Sequence, residues 1–152
     1  MAAPISQFGS SPRIVEILVN EGDFVKKGDI LAIFENGEKL IADLERNENL
    51  INTINEEITL KKDQIQRYEL ALSKDVYSFV EFSQRKDELL KLQKQKINLI
   101  GDQKNIKIDL FNSKLRSPID GFILGINTRV GERPQNEGIL DIGSSQKMEA
   151  LI

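Results

Sequence analysis

A chain of 152 residues has room for one ordinary domain or two small ones. Hydrophobic residues make up 39%, charged residues 30% and aromatic residues only 6%, with no Trp, a mix that suits long solvated helices better than one large core. The formal net charge is −3, with Lys and Arg spread along the chain, so there is no clustered basic face of the kind that nucleic acid needs. The lack of Cys excludes disulfides, thiol nucleophiles and zinc–thiolate sites, and the lack of His removes the commonest general base and metal ligand. The sequence contains no apolar run of about 18 residues that could span a membrane, and Met1-Ala2-Ala3-Pro4 lacks the charged-then-apolar pattern of a signal peptide.

Residues 1–12 are small, polar and Pro-containing, and read as an irregular lead-in. From Arg13 to Phe34, β-rich runs at Ile14–Val19, Phe24–Val25 and Ile30–Phe34 are separated by Gly22-Asp23 and Gly28-Asp29, where Gly can take φ > 0. From Lys39 to Phe111 Pro disappears and Gly survives only at Gly101. Leu44, Asn47, Ile51, Ile54, Ile58, Lys61, Ile65, Tyr68 and Leu72 alternate spacings of three and four, which predicts a long helix with a heptad seam. Ser73-Lys74-Asp75 interrupts it. A second seam follows at Phe82, Arg85, Leu89, Leu92, Lys96, Leu99, Gln103, Ile106 and Leu110, with Leu90, Ile97, Ile100 and Ile108 expected to widen its apolar face. The short break predicts antiparallel neighbours, each about 45–50 Å long. Strand signals return after Lys114, with a turn cluster at Ser117–Gly121 and strands at Phe122–Ile126 and Ile139–Ile142. The last residues, Met148–Ile152, alternate like the start of another strand, so the chain reads as part of a longer protein.

The two β-rich segments align without a gap: Ile14 with Ile123, Ile17 with Ile126, Gly22-Asp23 with Gly131-Glu132, Ile30-Leu31 with Ile139-Leu140, and Ile33 with Ile142. Neither half alone has enough apolar surface for a core. The fold class expected is therefore α+β, one small β-domain of two half motifs split by an antiparallel helical hairpin.

Val15–Phe34, with LVNEGDFVKKGDILA, is similar to the first half of a lipoyl or biotinyl domain as it occurs in membrane fusion proteins, the HlyD-like periplasmic adaptors. Leu115–Gly143, with RSPIDGFILGINTRVGERPQNEGILDIG, resembles the second half, which in that family carries an APxDG turn. The stretch PIDGFILGINTRVGE…EGILDIG…KMEALI looks closest to DevB-type adaptors of cyanobacterial ABC exporters. The resemblance implies lipoyl-like half motifs over 13–37 and 113–145, a coiled-coil hairpin over 38–112 with its tip near 72–78, and the entry to a β-barrel domain over 146–152. It also implies a protein in the periplasm, anchored to the inner membrane through a segment outside this sequence. There it would work with an ABC permease and its ATPase, a TolC-like outer-membrane channel and further copies of itself in a ring, a hexamer. In channel-docking adaptors the tip carries Arg, then Leu four residues on, then Ser seven further. Arg67 and Ser78 stand at the matching positions, while Ala71 replaces the Leu with Leu70 and Leu72 beside it. The partner-binding residues expected are thus Arg67, Ala71, Leu72 and Ser78, with Val76, Tyr77 and Phe79 adding apolar surface.

A lipoyl-like fold also raises a carrier reading, in which a Lys on a tight hairpin holds an acyl or biotinyl group. Lys39 follows an acidic lead-in but runs into the first helix, and Lys147, in Lys147-Met148, lies outside the repeat. Glu56-Glu57 and Asp87-Glu88 are neighbours that point in different directions on a helix and read as solvated charges. Gly22 and Gly28 lack the Lys-Ser/Thr of a phosphate loop. With no nucleophile–base set containing His or Cys, the expectation is a non-catalytic protein without cofactor or metal. A free-standing coiled-coil scaffold is the third reading.

Overall fold

The computed structural model describes residues 12–71, 76–134 and 138–144, the side chains of 76–78 excepted. Six strands and two helices follow in the order β1 (Ile14–Ile17), β2 (Phe24–Val25), β3 (Ile30–Phe34), α1 (Gly37–Ala71), α2 (Val76–Asn112), β4 (Lys114–Arg116), β5 (Gly121–Ile126) and β6 (Leu140–Ser144). They form two compact units: a β unit from residues up to Leu40 and from Asp109 onward, and a helical unit of Ile41–Ile108.

Each sheet of the β unit draws strands from both ends of the chain. One is ordered β1-β3-β4 and the other β2-β5-β6, with all neighbours antiparallel. Between them Val25, Leu31 and Ile123 are buried, surrounded by Val19, Leu115, Ile126, Leu140 and Ile142. The sequence repeat becomes an exchange of backbone hydrogen bonds. Gly22 N–H donates to the Ile123 carbonyl at 2.7 Å, and its counterpart Gly131 N–H donates to the Ile14 carbonyl at 2.7 Å. Ile123 N–H donates to the Asp23 carbonyl at 2.9 Å, and Ile14 N–H to the Glu132 carbonyl at 3.0 Å. Each half thus completes the other's turn.

Those turns follow from local chemistry. In Asn20–Asp23 and Lys26–Asp29 the last N–H bonds back to the first carbonyl at 3.1 and 3.0 Å. The third residue is Gly at φ 91° and 93°, the left-handed value that a type II turn requires. The closing Asp also accepts the first residue's N–H on its carboxylate, at 2.8 Å for Asn20 and 2.9 Å for Lys26. The turn cluster before β5 contributes Asp120, whose Oδ1 accepts from Lys27 N–H at 2.7 Å.

The helical unit places α1 and α2 side by side and antiparallel. The Asn47 amide donates to the Leu99 carbonyl at 3.0 Å, and Lys61 Nζ lies 2.6 Å from Glu88 Oε2. The first seam is buried where it was expected, at Asn47, Ile54, Ile58 and Ile65. On α2 the seam from Phe82 to Leu110 is half-buried throughout. The expected widening fails at three positions: Leu90, Ile97 and Ile108 are 55%, 68% and 58% exposed, because they lie on the opposite side of α2 from Leu92, Leu99 and Ile106.

Candidate functional site

The helix ends near residue 72 carry the sequence-predicted contact residues. Arg67 lies one turn from the end of α1, its side chain 76% exposed and its guanidinium 2.9 Å from Asp63 Oδ2. An exposed i,i+4 ion pair of this kind holds the side chain only weakly, so the planar donor fork is free to exchange Asp63 for another acceptor. Ala71, the last residue of α1, is half-buried, and its spacing of four from Arg67 sets both on one helix face. Leu72 and the side chain of Ser78 lie outside the described residues, as do the side chains of Val76 and Tyr77. Leu70 at 76%, Phe79 at 59% and Val80 at 53% exposure add the apolar surface of this end.

About two turns back from Arg67, along the seam, is a charge cluster that the sequence reading left as separate polar residues. Glu88 accepts from Lys61 at 2.6 Å and from Arg85 at 2.8 Å, and Arg85 also lies 3.3 Å from Glu81. The hydrogen bond from Lys61, aided by the Arg85 charge, holds the Glu88 carboxyl below its ordinary range against partial desolvation. The Glu88 charge in turn raises Arg85, with Glu81 adding to it. Spacing could have located the part within α2, whereas Lys61 joins it only through the register of the two helices. Lys61 and Arg85 are cations in facing seams, and Glu88 and Glu81 stand three and four residues from Arg85 on the same helix.

In the β unit, Lys39 is the third residue of α1 and exposed, on a helix rather than on a tight β-hairpin, and Lys147 lies outside the described residues. Leu31, Leu115, Ile119, Pro134, Leu140 and Ile142 line an apolar cavity of about 510 Å³. Among the described residues no group of three or more His, Cys, Asp or Glu side chains is placed to hold a metal ion. No helix among them is long and apolar enough to cross a membrane.

A β unit closed by two half motifs, with both long helices inserted between them, is the arrangement against which known proteins can be compared. The family model described as YknX, barrel-sandwich hybrid domain, matches residues 10–143. The chain belongs to this family. No curated protein matches the sequence. Among solved structures, the barrel-sandwich hybrid chain is similar to the membrane fusion protein Spr0693 from Streptococcus pneumoniae R6, at 17% identity and a TM-score of 0.70, over 91% of this chain and 56% of that one. ZneB from Cupriavidus metallidurans matches at 16% identity and a TM-score of 0.55, over 90% of this chain and 42% of that one. MacA from Actinobacillus actinomycetemcomitans matches at 19% identity and a TM-score of 0.52, over 90% and 47%. The likeness is one of fold, and the chain spans about half the length of these proteins.

Proposed function

We propose that this chain is the barrel-sandwich hybrid and hairpin portion of a periplasmic adaptor that links an inner-membrane exporter to an outer-membrane channel. The observation that carries the reading is the β unit split by an inserted pair of antiparallel helices, a fold shared with the membrane fusion protein Spr0693. In this reading residues 13–37 and 113–145 are the half motifs, 38–112 form a coiled-coil hairpin, and 146–152 lead into a further β-domain. The energy source lies in the partner, an ABC permease with its ATPase. That assignment, and the DevB-type branch, rest on the resemblance of the residues from Pro118 onward. The protein is non-catalytic, held at the inner membrane by a segment outside this sequence, and assembles as a ring of copies, six by family resemblance.

Arg67, Ala71, Leu72 and Ser78 are the proposed contacts to a TolC-like channel. Arg67 supplies a charge-assisted donor to carbonyls or carboxylates of the channel helices, while Leu70 and Phe79 supply apolar area. Replacing Arg67 by Asp sets a carboxylate beside Asp63 and reverses the sign of the contact. Cells expressing full-length Arg67→Asp at normal levels should lose export and channel capture, with the helix content of the purified protein unchanged. Normal export in those cells would remove the tip from the mechanism.

A further inference from the structure

The apolar cavity of the β unit has walls drawn from both sheets. Sheet β1-β3-β4 contributes Leu31 and Leu115, sheet β2-β5-β6 contributes Leu140 and Ile142, and the turn between β4 and β5 adds Ile119. Leu31, only 1% exposed, is also a core residue, so the cavity reaches down to the core, while Ile119 is open to solvent. Among the described residues β4 and β6 each end their sheet, so the cavity lies between two edge strands. A volume of about 510 Å³ is in the range that holds a small organic molecule.

One side chain of the lining is charged. Arg116, the last residue of β4, is half-buried and borders the same cavity. Its guanidinium lies over the Phe111 ring at 4.6 Å, a stacked contact that uses the face of the group and leaves its donors for other partners. Nη1 reaches the Gly28 carbonyl only at 3.5 Å, and Nε is shielded from water without an acceptor. A buried donor in this state is costly and calls for a partner. The carboxylates of the flanking turns do not supply one. Asp29 accepts from Lys26 N–H at 2.9 Å and Asp120 from Lys27 N–H at 2.7 Å. Among the described residues Arg116 forms no ion pair.

Aliphatic walls with one unpaired planar cation select a particular chemistry. A neutral chain leaves Arg116 without its acceptor, a short anion leaves the walls wet, and a cationic amphiphile is repelled. An aliphatic chain that ends in a carboxylate answers both parts, since its two oxygens match the guanidinium fork. We propose that the cavity between β4 and β6 binds a free medium-chain fatty acid, its chain among Leu31, Leu115, Leu140 and Ile142 and its carboxylate on Arg116. The ligand joins one sheet to the other, so its binding stabilises the β unit by mass action. Neither channel nor exporter takes part, and the site stands whether or not the adaptor reading holds.

The test is a titration of the full chain with sodium decanoate, kept below its micelle-forming concentration and followed by two-dimensional NMR. Amide shifts should saturate and centre on residues 115–119 and 139–142. Octanoate should bind roughly fifteenfold more weakly, about fourfold for each methylene lost from an apolar site. Decanol, which has the chain without the charge, should bind about tenfold more weakly or worse, as expected when a charge-assisted hydrogen bond is absent. Arg116→Gln should bring decanoate down to the level of decanol and leave decanol itself unchanged, whereas a side chain that only supports the fold would lower both. Ile119→Glu, a change in an exposed turn, should weaken decanoate more than decanol and serves if Arg116→Gln fails to fold. The proposal is overturned by no binding, by equal affinity for decanoate and decanol, or by shifts centred on exposed helix positions such as Leu90 and Ile97. It is equally overturned if decanoate binds only after removal of residues 1–11, which would give the cavity to the chain's own beginning.

Discussion

Gly121 and Glu88 show how single residues fix two different parts of the chain. Gly121 begins β5 opposite Ser144, and a Cβ there would overlap the Gly143 carbonyl oxygen, which belongs to backbone and cannot swing aside. Gly121→Ala must therefore push β5 and β6 apart, and overpacking of this kind costs about 1–3 kcal/mol. The urea midpoint should fall accordingly; an unchanged midpoint would show that the strands separate freely. Glu88 is tuned by charge. Its carboxyl titrates lower in the folded chain than in the unfolded one because Lys61 and Arg85 favour the anion. The stabilisation is then fully present above the ordinary carboxylate range and is lost as pH falls through the lowered folded value. Glu88→Gln should reduce stability at neutral pH and flatten the acid limb of a stability–pH curve. Equal acid limbs for the two proteins would mean that the cluster contributes nothing to folding.

Secondary elements were legible wherever a period repeated. The β-rich runs of the first half reappear as β1, β2 and β3, and the three–four spacing of Asn47, Ile54, Ile58 and Ile65 gives the buried side of α1. Strand β4 was not foreseen, since Lys114–Arg116 has three residues, two of them charged, and is a strand only because β3 offers it an edge. Leu90, Ile97 and Ile108 were assigned to the packed face by hydrophobicity, although their spacings of seven and eleven place them on a second stripe. Composition names apolar residues but does not say which stripe meets the partner helix within the chain. The Lys61–Glu88–Arg85 cluster was missed for a related reason: its members are adjacent only when two helices are set in register, and register is a property of the pair. Near the end of α1, a spacing of four sets Arg67 and Ala71 on one helix face, with Arg67 held by Asp63, whereas their assignment as channel contacts rests on the family resemblance and is a proposal.

The molecule as a whole is a β unit whose two halves cannot be separated and a helical unit that can. Sheets β1-β3-β4 and β2-β5-β6 each need strands from before and after the helices. The reciprocal bonds of Gly22 with Ile123 and Gly131 with Ile14 close only when both halves are present. Ile123, 1% exposed, packs with Leu31 and Val25 across that division. The helical unit contributes no strand and none of these core side chains. Loop closure costs grow only slowly with length, so the chain between the halves can be long or short at similar free energy. Replacing residues 41–108 by a short Gly/Ser linker should therefore leave the β unit folded. Its two-dimensional NMR spectrum should show dispersed amides, and its unfolding should remain a single cooperative transition. A chain ending at Ala71, which keeps β1, β2, β3 and α1, should show no such dispersion, because β2 loses β5, β3 loses β4, and Leu31 loses Ile123. Adding a peptide of residues 109–152 to that truncated chain should recover dispersion in proportion to peptide concentration, as expected when binding supplies the missing half. Dispersed amides in the truncated chain alone would show that the first half folds without the second, and the repeat would then be a duplication of two self-sufficient pieces.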